Sequence, residues 1–500
     1  MPYPFYEKKF VFTQPDGTRI DLKGWGNQNY AVFETPDGYS VVKDPATGFY
    51  QYAKRSPDGK RLVPTGVVVG TAKPETLGLE RHLRVPRTVA KEMALAPFQK
   101  KKFKTRWEER REKARAAQHK ALKTPGIAPA PPKEERVGEY CGLCILIQFP
   151  DEPGTISRSE VEDFCNKKGY TGFGNNGSVY DYFFDESGGR LKYTNIVVGY
   201  YTAKNPEEYY ANPGIPHGTR ARELVEEALS DLREKGFDFS ALSTDKEGFV
   251  YAVNVFYAGT CPNNWGEGLW PHSWGLEAPF EVDAQRRCMD YQISDMGKAL
   301  TLATFCHENG HMICDFPDLY DYGDQSNGVG MYCSMCWGGP DDTNPTQFSA
   351  YLKYKAGWAD RVVPLKAGTY TVKSGKNEFY IRNKNATEYF ILENRHNRGR
   401  DASLPSSGLA IWHVDELGSN EDEDMTADKH YECSLEQADS NFDLERRSNL
   451  GDGGDLFYSP NRTNFDNSAE PNSKWWDGNS SDLEIVNVGH PGEEVEFRVK

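Results

Sequence analysis

Two histidines one helical turn apart, with a glutamate beside the first, stand at His307-Glu308-Asn309-Gly310-His311. In a helix, residues four apart project to one side. Both imidazoles can therefore offer a nitrogen to one divalent ion, in the tetrahedral manner of zinc. Glu308 lies about 100° around the helix from His307, near such an ion but not on it. There it can take a proton from water whose acidity the ion has raised, which is the chemistry of a hydrolase. The bland alternative is a surface helix with solvated histidines, and chance gives this pattern in roughly one such chain per hundred. Gly310 weighs against it. An internal glycine costs a helix about 1 kcal/mol relative to alanine, which is tolerated more readily where something packs closely.

The elements that must position these residues are partly visible. Met296, Leu300 and Ala303 recur at helical spacing, and His307 and His311 continue that face, predicting one helix from about Asp295 onward. Pro317 forces a turn that returns carboxylates toward the site. A glycine-rich turn follows around Met335, between Gly328 and Gly339, and Pro345 to Trp358 reads as an amphipathic helix. A peptidase also needs a donor for a developing oxyanion. Tyr320, Tyr322, Tyr332 and His272 are candidates that the sequence does not rank.

Across these segments the chain resembles the immune inhibitor A family of metallopeptidases. The residues carrying the resemblance are His307-Glu308-x-Gly310-His311, Pro317-Asp318-x-Tyr320-Asp321, the turn at Met335 and Lys355-Ala-Gly-Trp358. Gly172–Phe183, Leu269–Trp274, Tyr389–Arg395 and Gly408–Asp415 also look like family segments, so the likeness covers most of residues 138–490. It implies a secreted zymogen, a metzincin-like catalytic domain with a methionine turn beneath a zinc ion, and a β-rich domain after it. By resemblance, His307 and His311 bind zinc, Glu308 is the general base, and Met335 packs under the metal without ligating it. The expected HExxHxxGxxD spacing is broken here: Cys314 replaces its glycine, and one residue is inserted. Aligning on Pro-Asp-x-Tyr-Asp makes Asp318 the third ligand, with Asp321 and Asp315 as alternatives.

Five hundred residues exceed one core, and the expected architecture is α+β and multi-domain. Residues 1–87 form a β-rich pro-region, punctuated by Gln14-Pro-Asp-Gly17, Thr35-Pro-Asp-Gly38 and Ser56-Pro-Asp-Gly59 turns. Residues 88–137 hold a basic helical segment, helical at least from Thr105 to Leu122, and a Pro/Ala linker. The zincin-like catalytic domain spans 138–360, and a β-sandwich-like domain spans 361–500. Residues 1–136 hold 27 Lys/Arg and 15 Asp/Glu, whereas the remainder holds 32 and 59. The two parts should attract, screened over about 8 Å at physiological salt. The basic segment is then expected to dock on the acidic body and occlude the cleft, with 124–136 as the place of activating cleavage. Glu108, Glu109 and Glu112 interrupt its basic run, which weighs against nucleic acid.

Ten cysteines make no disulfide framework for this length. Cys141/Cys144 and Cys333/Cys336 are too far apart in sequence for a zinc ribbon and are expected as structural thiols. Asp439, Asp443, Asp452 and Asp455, set among glycines, are calcium candidates, a choice the family resemblance favours. No apolar run reaches membrane length. The first ten residues do not read as a secretory signal, so secretion rests on the resemblance alone. Protein or peptide substrates and the chain's own pro-region are the expected partners. The rival from another class is a non-catalytic zinc-containing protein that binds a ligand through its C-terminal β domain.

Overall fold

The computed structural model describes residues 4–27, 30–99, 104–123 and 135–500, so most of the expected cleavage segment at 124–136 lies outside them. Over the described residues the chain is mixed α/β, with four sheets and helices between them. Its first six strands (Phe5–Thr13, Arg19–Gly26, Ala31–Glu34, Ser40–Lys43, Tyr50–Arg55 and Leu62–Val68) pair antiparallel in sequence order. The Pro-Asp-Gly tripeptides set this meander. Gly17, Gly38 and Gly59 have φ of 84°, 91° and 71°, and each donates its N–H to the residue three before it at 2.9 Å. Phe5, Phe12, Ile20, Leu22, Phe33 and Tyr50 fill the sheet's own core, to which Trp265 of the main body adds its ring.

The central sheet holds Gly138–Gln148, Leu191–Thr202, Val253–Tyr257, His272–Glu281 and Arg287–Asp295. In space the fourth strand stands at one edge, antiparallel to the fifth, and all other neighbours run parallel. Its first strand is apolar on both faces, as a strand covered on both sides must be. Leu143, Ile145 and Ile147 pack one way, onto the helix Thr219–Glu234 through Ala221, Leu224, Val225, Ala228 and Leu229. Cys144 and Leu146 pack the other way, toward the helix Leu302–Cys314.

Two helical expectations are corrected. The histidine helix begins at Leu302, after Thr301 with extended φ −130° and ψ 149°. Met296 and Leu300 are buried loop residues, because the preceding segment belongs to the strand Arg287–Asp295 and Gly297 turns the chain at φ 51°. The stretch after Pro345 is helical only over Ala350–Lys355. Side-chain acceptors of Asp401, Glu186, Cys333 and Glu393 take the N–H groups of Gln347, Phe348, Ser349 and Ala350, and Ser349 caps the helix that remains.

Beyond residue 360 a five-stranded sheet is ordered Arg361–Pro364, Glu378–Asn383, Glu388–Arg395, Gly408–Asp415, Cys433–Leu435. Phe390 and Leu392 face a core shared with a three-stranded sheet of Gly368–Lys373, Glu494–Val499 and Ile485–Val486. Tyr389 and Ile391, on the opposite face, join the core beneath the histidine helix. One hydrophobic core therefore crosses residue 360, and the C-terminal sheet supports the site from below. Among the described residues, no helix is long and apolar enough to cross a membrane.

Candidate metal centre

The helix Leu302–Cys314 is buried on nearly all sides, and polar contacts fix its rotation. Asn309, inside the His-Glu motif, meets the Tyr193 hydroxyl at 2.6 Å and donates to Asn254 Oδ1 at 2.8 Å. Both partners belong to the central sheet. A buried network of this kind must be matched bond for bond, so it specifies which helix face meets the sheet. Gly310 faces the methionine turn. A Cβ there would lie 2.6 Å from Met335 Sδ, and this close approach is what the glycine permits.

The turn orients the two histidines as well. His307 donates from Nδ1 to the Ser334 carbonyl at 2.7 Å, and His311 donates from Nδ1 to the Phe316 carbonyl at 2.6 Å. A ring nitrogen facing a carbonyl must carry the proton, which leaves each Nε2 as a lone pair. The Leu319 N–H binds the Met335 carbonyl at 2.7 Å, holding the loop that presents Asp318. Cys333 Sγ accepts from the Met335 and Ser349 N–H groups at 3.4 Å, and Cys336 Sγ donates to the Asn327 carbonyl at 3.3 Å. Both are free thiols that stitch this turn.

Asp318 Oδ1 lies 3.1 Å from His307 Nε2 and 3.3 Å from His311 Nε2, and these three residues form a group able to hold a metal. Asp318 Oδ1 is buried without a hydrogen-bond partner, and Oδ2 is occupied by the Tyr322 hydroxyl at 2.6 Å. Three lone-pair atoms at such distances repel unless a cation sits among them. Around a small ion with bonds of about 2.0–2.1 Å, the edge of a tetrahedron is about 3.3–3.4 Å. The residues fit a divalent ion. Without one, a proton serves: burial opposes the charged imidazole, but Asp318 overrides it and pushes His311 up to about 9. Burial alone would raise Asp318, yet the two histidines hold it far below the usual carboxylate range.

Glu308 Oε1 stands 3.9 Å from His307 Nε2, beside the group and outside it. Burial raises its pKa, while His307 and His311 pull it down. The other proposed third ligands lie elsewhere. Asp321 caps its own loop, accepting from Gly323, Gln325 and Ser326 at 2.6, 2.5 and 3.0 Å. Asp315 ends the helix in the left-handed region (φ 56°), a conformation common where a helix stops. Its carboxylate pairs with Arg110 at 2.7 Å and with Arg136.

Sequence reasoning foresaw the docking of the basic helix but missed the residue at its centre. The helix Arg106–Lys123 begins with the Arg106 and Trp107 N–H groups on the buried Asp290 carboxylate, at 2.7 and 3.2 Å. Trp107 then stacks on His311 with ring centroids 4.4 Å apart and planes inclined 19°. Around it, Arg106 pairs with Asp245 at 3.1 Å, Lys113 with Glu247 at 2.8 Å, and Arg111 and Arg115 with Glu432. Arg110 also donates to the Met312 carbonyl at the site helix's end (3.0 Å). The only signal in the sequence was a lone tryptophan in a run of charges. His307, Glu308, His311 and Asp318 are 2–4% exposed, so the group is closed off from solvent. A cavity of about 620 Å³ remains under the helix, lined by Arg110, Arg111, Arg136, Asp315 and Phe316 among others.

Of the calcium candidates, Asp439, Asp452 and Asp455 converge into a second group able to hold a cation. Asp443 is a correction: it stands outside that group and accepts from Asn449 Nδ2 at 3.2 Å. Asp455 Oδ1 is buried without a partner, and burial pushes its carboxyl up to about 7. A Cβ on Gly454 would lie 2.5 Å from Asp439 Oδ2, so the glycine admits that carboxylate. No protein-family model matches the chain, and no curated protein matches it in sequence.

Proposed function

We propose that this chain is a zinc-dependent endopeptidase made in a latent form. The observation that carries the reading is the convergence of His307, His311 and Asp318 with Glu308 beside them and outside the ligand group. A structural site has no use for that carboxylate, whereas hydrolysis needs a base. A zinc ion held by the three residues supplies Lewis acidity to a carbonyl oxygen and to water. Glu308 accepts the water's proton and passes it to the leaving amine. The edge strand His272–Glu281 has one side open in its sheet order, so an extended polypeptide can pair along it. The resemblance to the immune inhibitor A family implies the same chemistry.

Latency is supported by the docked helix, whose Trp107 covers His311. The interface is largely ionic and encloses a cavity, so it can be released without exposing a large apolar core. The Asp439, Asp452 and Asp455 group is assigned to calcium on the hardness of its oxygen ligands.

The decisive test is casein hydrolysis by the full chain before and after limited proteolysis, with and without chelator, beside Glu308→Ala. Activity is expected only after proteolysis, is lost with chelator, and falls at least about 100-fold in the variant. Casein cleavage that survives both chelator and Glu308→Ala defeats the mechanism. A metal that binds with full stoichiometry, in a chain that never cleaves, favours the non-catalytic zinc protein.

A further inference from the structure

We propose that the Tyr320 hydroxyl is the donor that stabilises the oxyanion forming on the scissile carbonyl, an inference that rests on the peptidase reading above. A hydrolase of this kind needs a hydrogen-bond donor aimed where negative charge develops, fixed before the reaction begins. Of the four candidate donors near the site, three are engaged elsewhere. Tyr322 donates to Asp318 Oδ2 at 2.6 Å, and Tyr332 is spent on Asp455 Oδ2 and the Asp452 carbonyl at 2.9 and 3.0 Å. His272 uses Nδ1 on the Trp270 carbonyl at 2.7 Å and Nε2 on the Tyr291 hydroxyl at 3.0 Å.

Tyr320 is different. The residue is 2% exposed, and its hydroxyl makes no well-formed hydrogen bond. Folded proteins rarely leave a buried donor so. It follows Asp318 by two residues, and its ring lies 5.3 Å from that of Tyr322, which holds Asp318. Asp318 and Glu308, the two carboxylates of the proposed centre, are the charged groups that bear on it most.

The backbone that carries Tyr320 is clamped from both sides. The Leu319 N–H binds the Met335 carbonyl at 2.7 Å, and the Leu319 carbonyl accepts from Val329 at 3.1 Å. Gly328 lies so close that a Cβ on it would be 1.9 Å from the Leu319 carbonyl oxygen and 2.7 Å from Tyr320 Cα. The same turn that holds Asp318 therefore fixes Tyr320, giving the preorganisation an oxyanion donor needs. In the reaction, water oxygen adds to the carbonyl carbon and the C=O electron pair moves onto the carbonyl oxygen. Tyr320 donates a hydrogen bond to that oxygen and keeps its proton. Glu308 carries the proton released by water to the amine nitrogen as the C–N bond breaks.

The test compares full-length wild type, Tyr320→Phe and Tyr322→Phe after the same limited proteolysis. Tyr320→Phe deletes one oxygen that makes no well-formed hydrogen bond, so its metal content and melting temperature should stay close to the wild type. Its kcat should fall about 100- to 1000-fold with KM within threefold. Affinity for a phosphinic peptide, which imitates the tetrahedral anion, should fall by the same factor as kcat/KM. Tyr322→Phe should instead retain metal less well. Tyr320→Phe with kcat within threefold of wild type, or with unchanged phosphinate affinity, overturns the assignment while leaving the peptidase reading intact. A proteolysed wild type that holds metal but cleaves nothing removes both.

Discussion

The Trp107 indole lies against the His311 imidazole, centroid to centroid at 4.4 Å, so a residue of the basic N-terminal helix covers one of the proposed metal ligands. On the peptidase reading proposed above, substrate and indole would compete for that face. Trp107→Ala removes a large buried side chain, a loss that generally amounts to about 3–5 kcal/mol in a packed site. Before any proteolysis, the variant should hydrolyse casein at least about tenfold faster than the wild type. That gain corresponds to only about 1.4 kcal/mol of the lost packing. Equal rates would dismiss the helix as the cause of latency.

Acid should loosen the same helix. Burial alone would raise Asp245, but the Phe249 N–H and the Arg106 guanidinium more than offset it and hold its pKa below the usual range. Exposed Glu247 is lowered as well, first by Lys113 and then by Arg106. A depressed carboxylate contributes stability above its free pKa and loses it as pH falls through the bound value. Asp290, at the helix N-terminus, has the opposite sign. Burial holds it up to about 6, so proton uptake there favours the docked state between about pH 4 and 6. Release is therefore expected below about pH 4 and not near pH 5. Peptide-resolved hydrogen exchange of 106–123 from pH 7 to 3 checks the window, and protection that is flat to pH 3 contradicts it.

Gly310→Ala sets two effects against each other. Alanine favours the helix by about 1 kcal/mol, but its Cβ would meet Met335 Sδ at 2.6 Å. Overpacking a tight core costs about 1–3 kcal/mol, and Met335 is fully buried with little room to yield. The net result should be destabilisation, accompanied by weaker metal retention. Adding Met335→Ala should lessen the metal defect, since the clash is then gone. Denaturant melts and metal analysis of the single and double variants decide this, and a Gly310→Ala chain more stable than wild type would refute it.

At the second acidic group, a hard cation should relieve the mutual repulsion of Asp439, Asp452 and Asp455. Millimolar calcium is expected to raise the melting temperature of the wild type and to leave Asp455→Asn unmoved. Magnesium should act more weakly, because it gives up its water reluctantly. A calcium response that persists in Asp455→Asn would place the ion elsewhere.

Much of the site was legible because its chemistry is local. His307 and His311 share a helix face by spacing alone, and the family resemblance, aligned on Pro317-Asp318-x-Tyr320-Asp321, narrowed the third ligand to three aspartates. Gly310 announced a close contact without naming the partner, which the fold identifies as Met335. The same periodicity misled at Met296 and Leu300. A buried loop after a strand carries apolar residues for packing reasons, and a short window cannot separate that from a helix.

What the sequence by itself determined is therefore the motif, the turns of the N-terminal meander, and the charge asymmetry that sends the basic helix onto the body. Only the tertiary structure decided that Asp318, rather than Asp315 or Asp321, meets the two imidazoles. It alone brought Trp107 onto His311 and left the buried Tyr320 hydroxyl without a well-formed hydrogen bond. The physical reason is range. Helical spacing and turn propensity act over a few residues, whereas these contacts join segments remote in sequence through a core in which each buried donor and acceptor must find its partner.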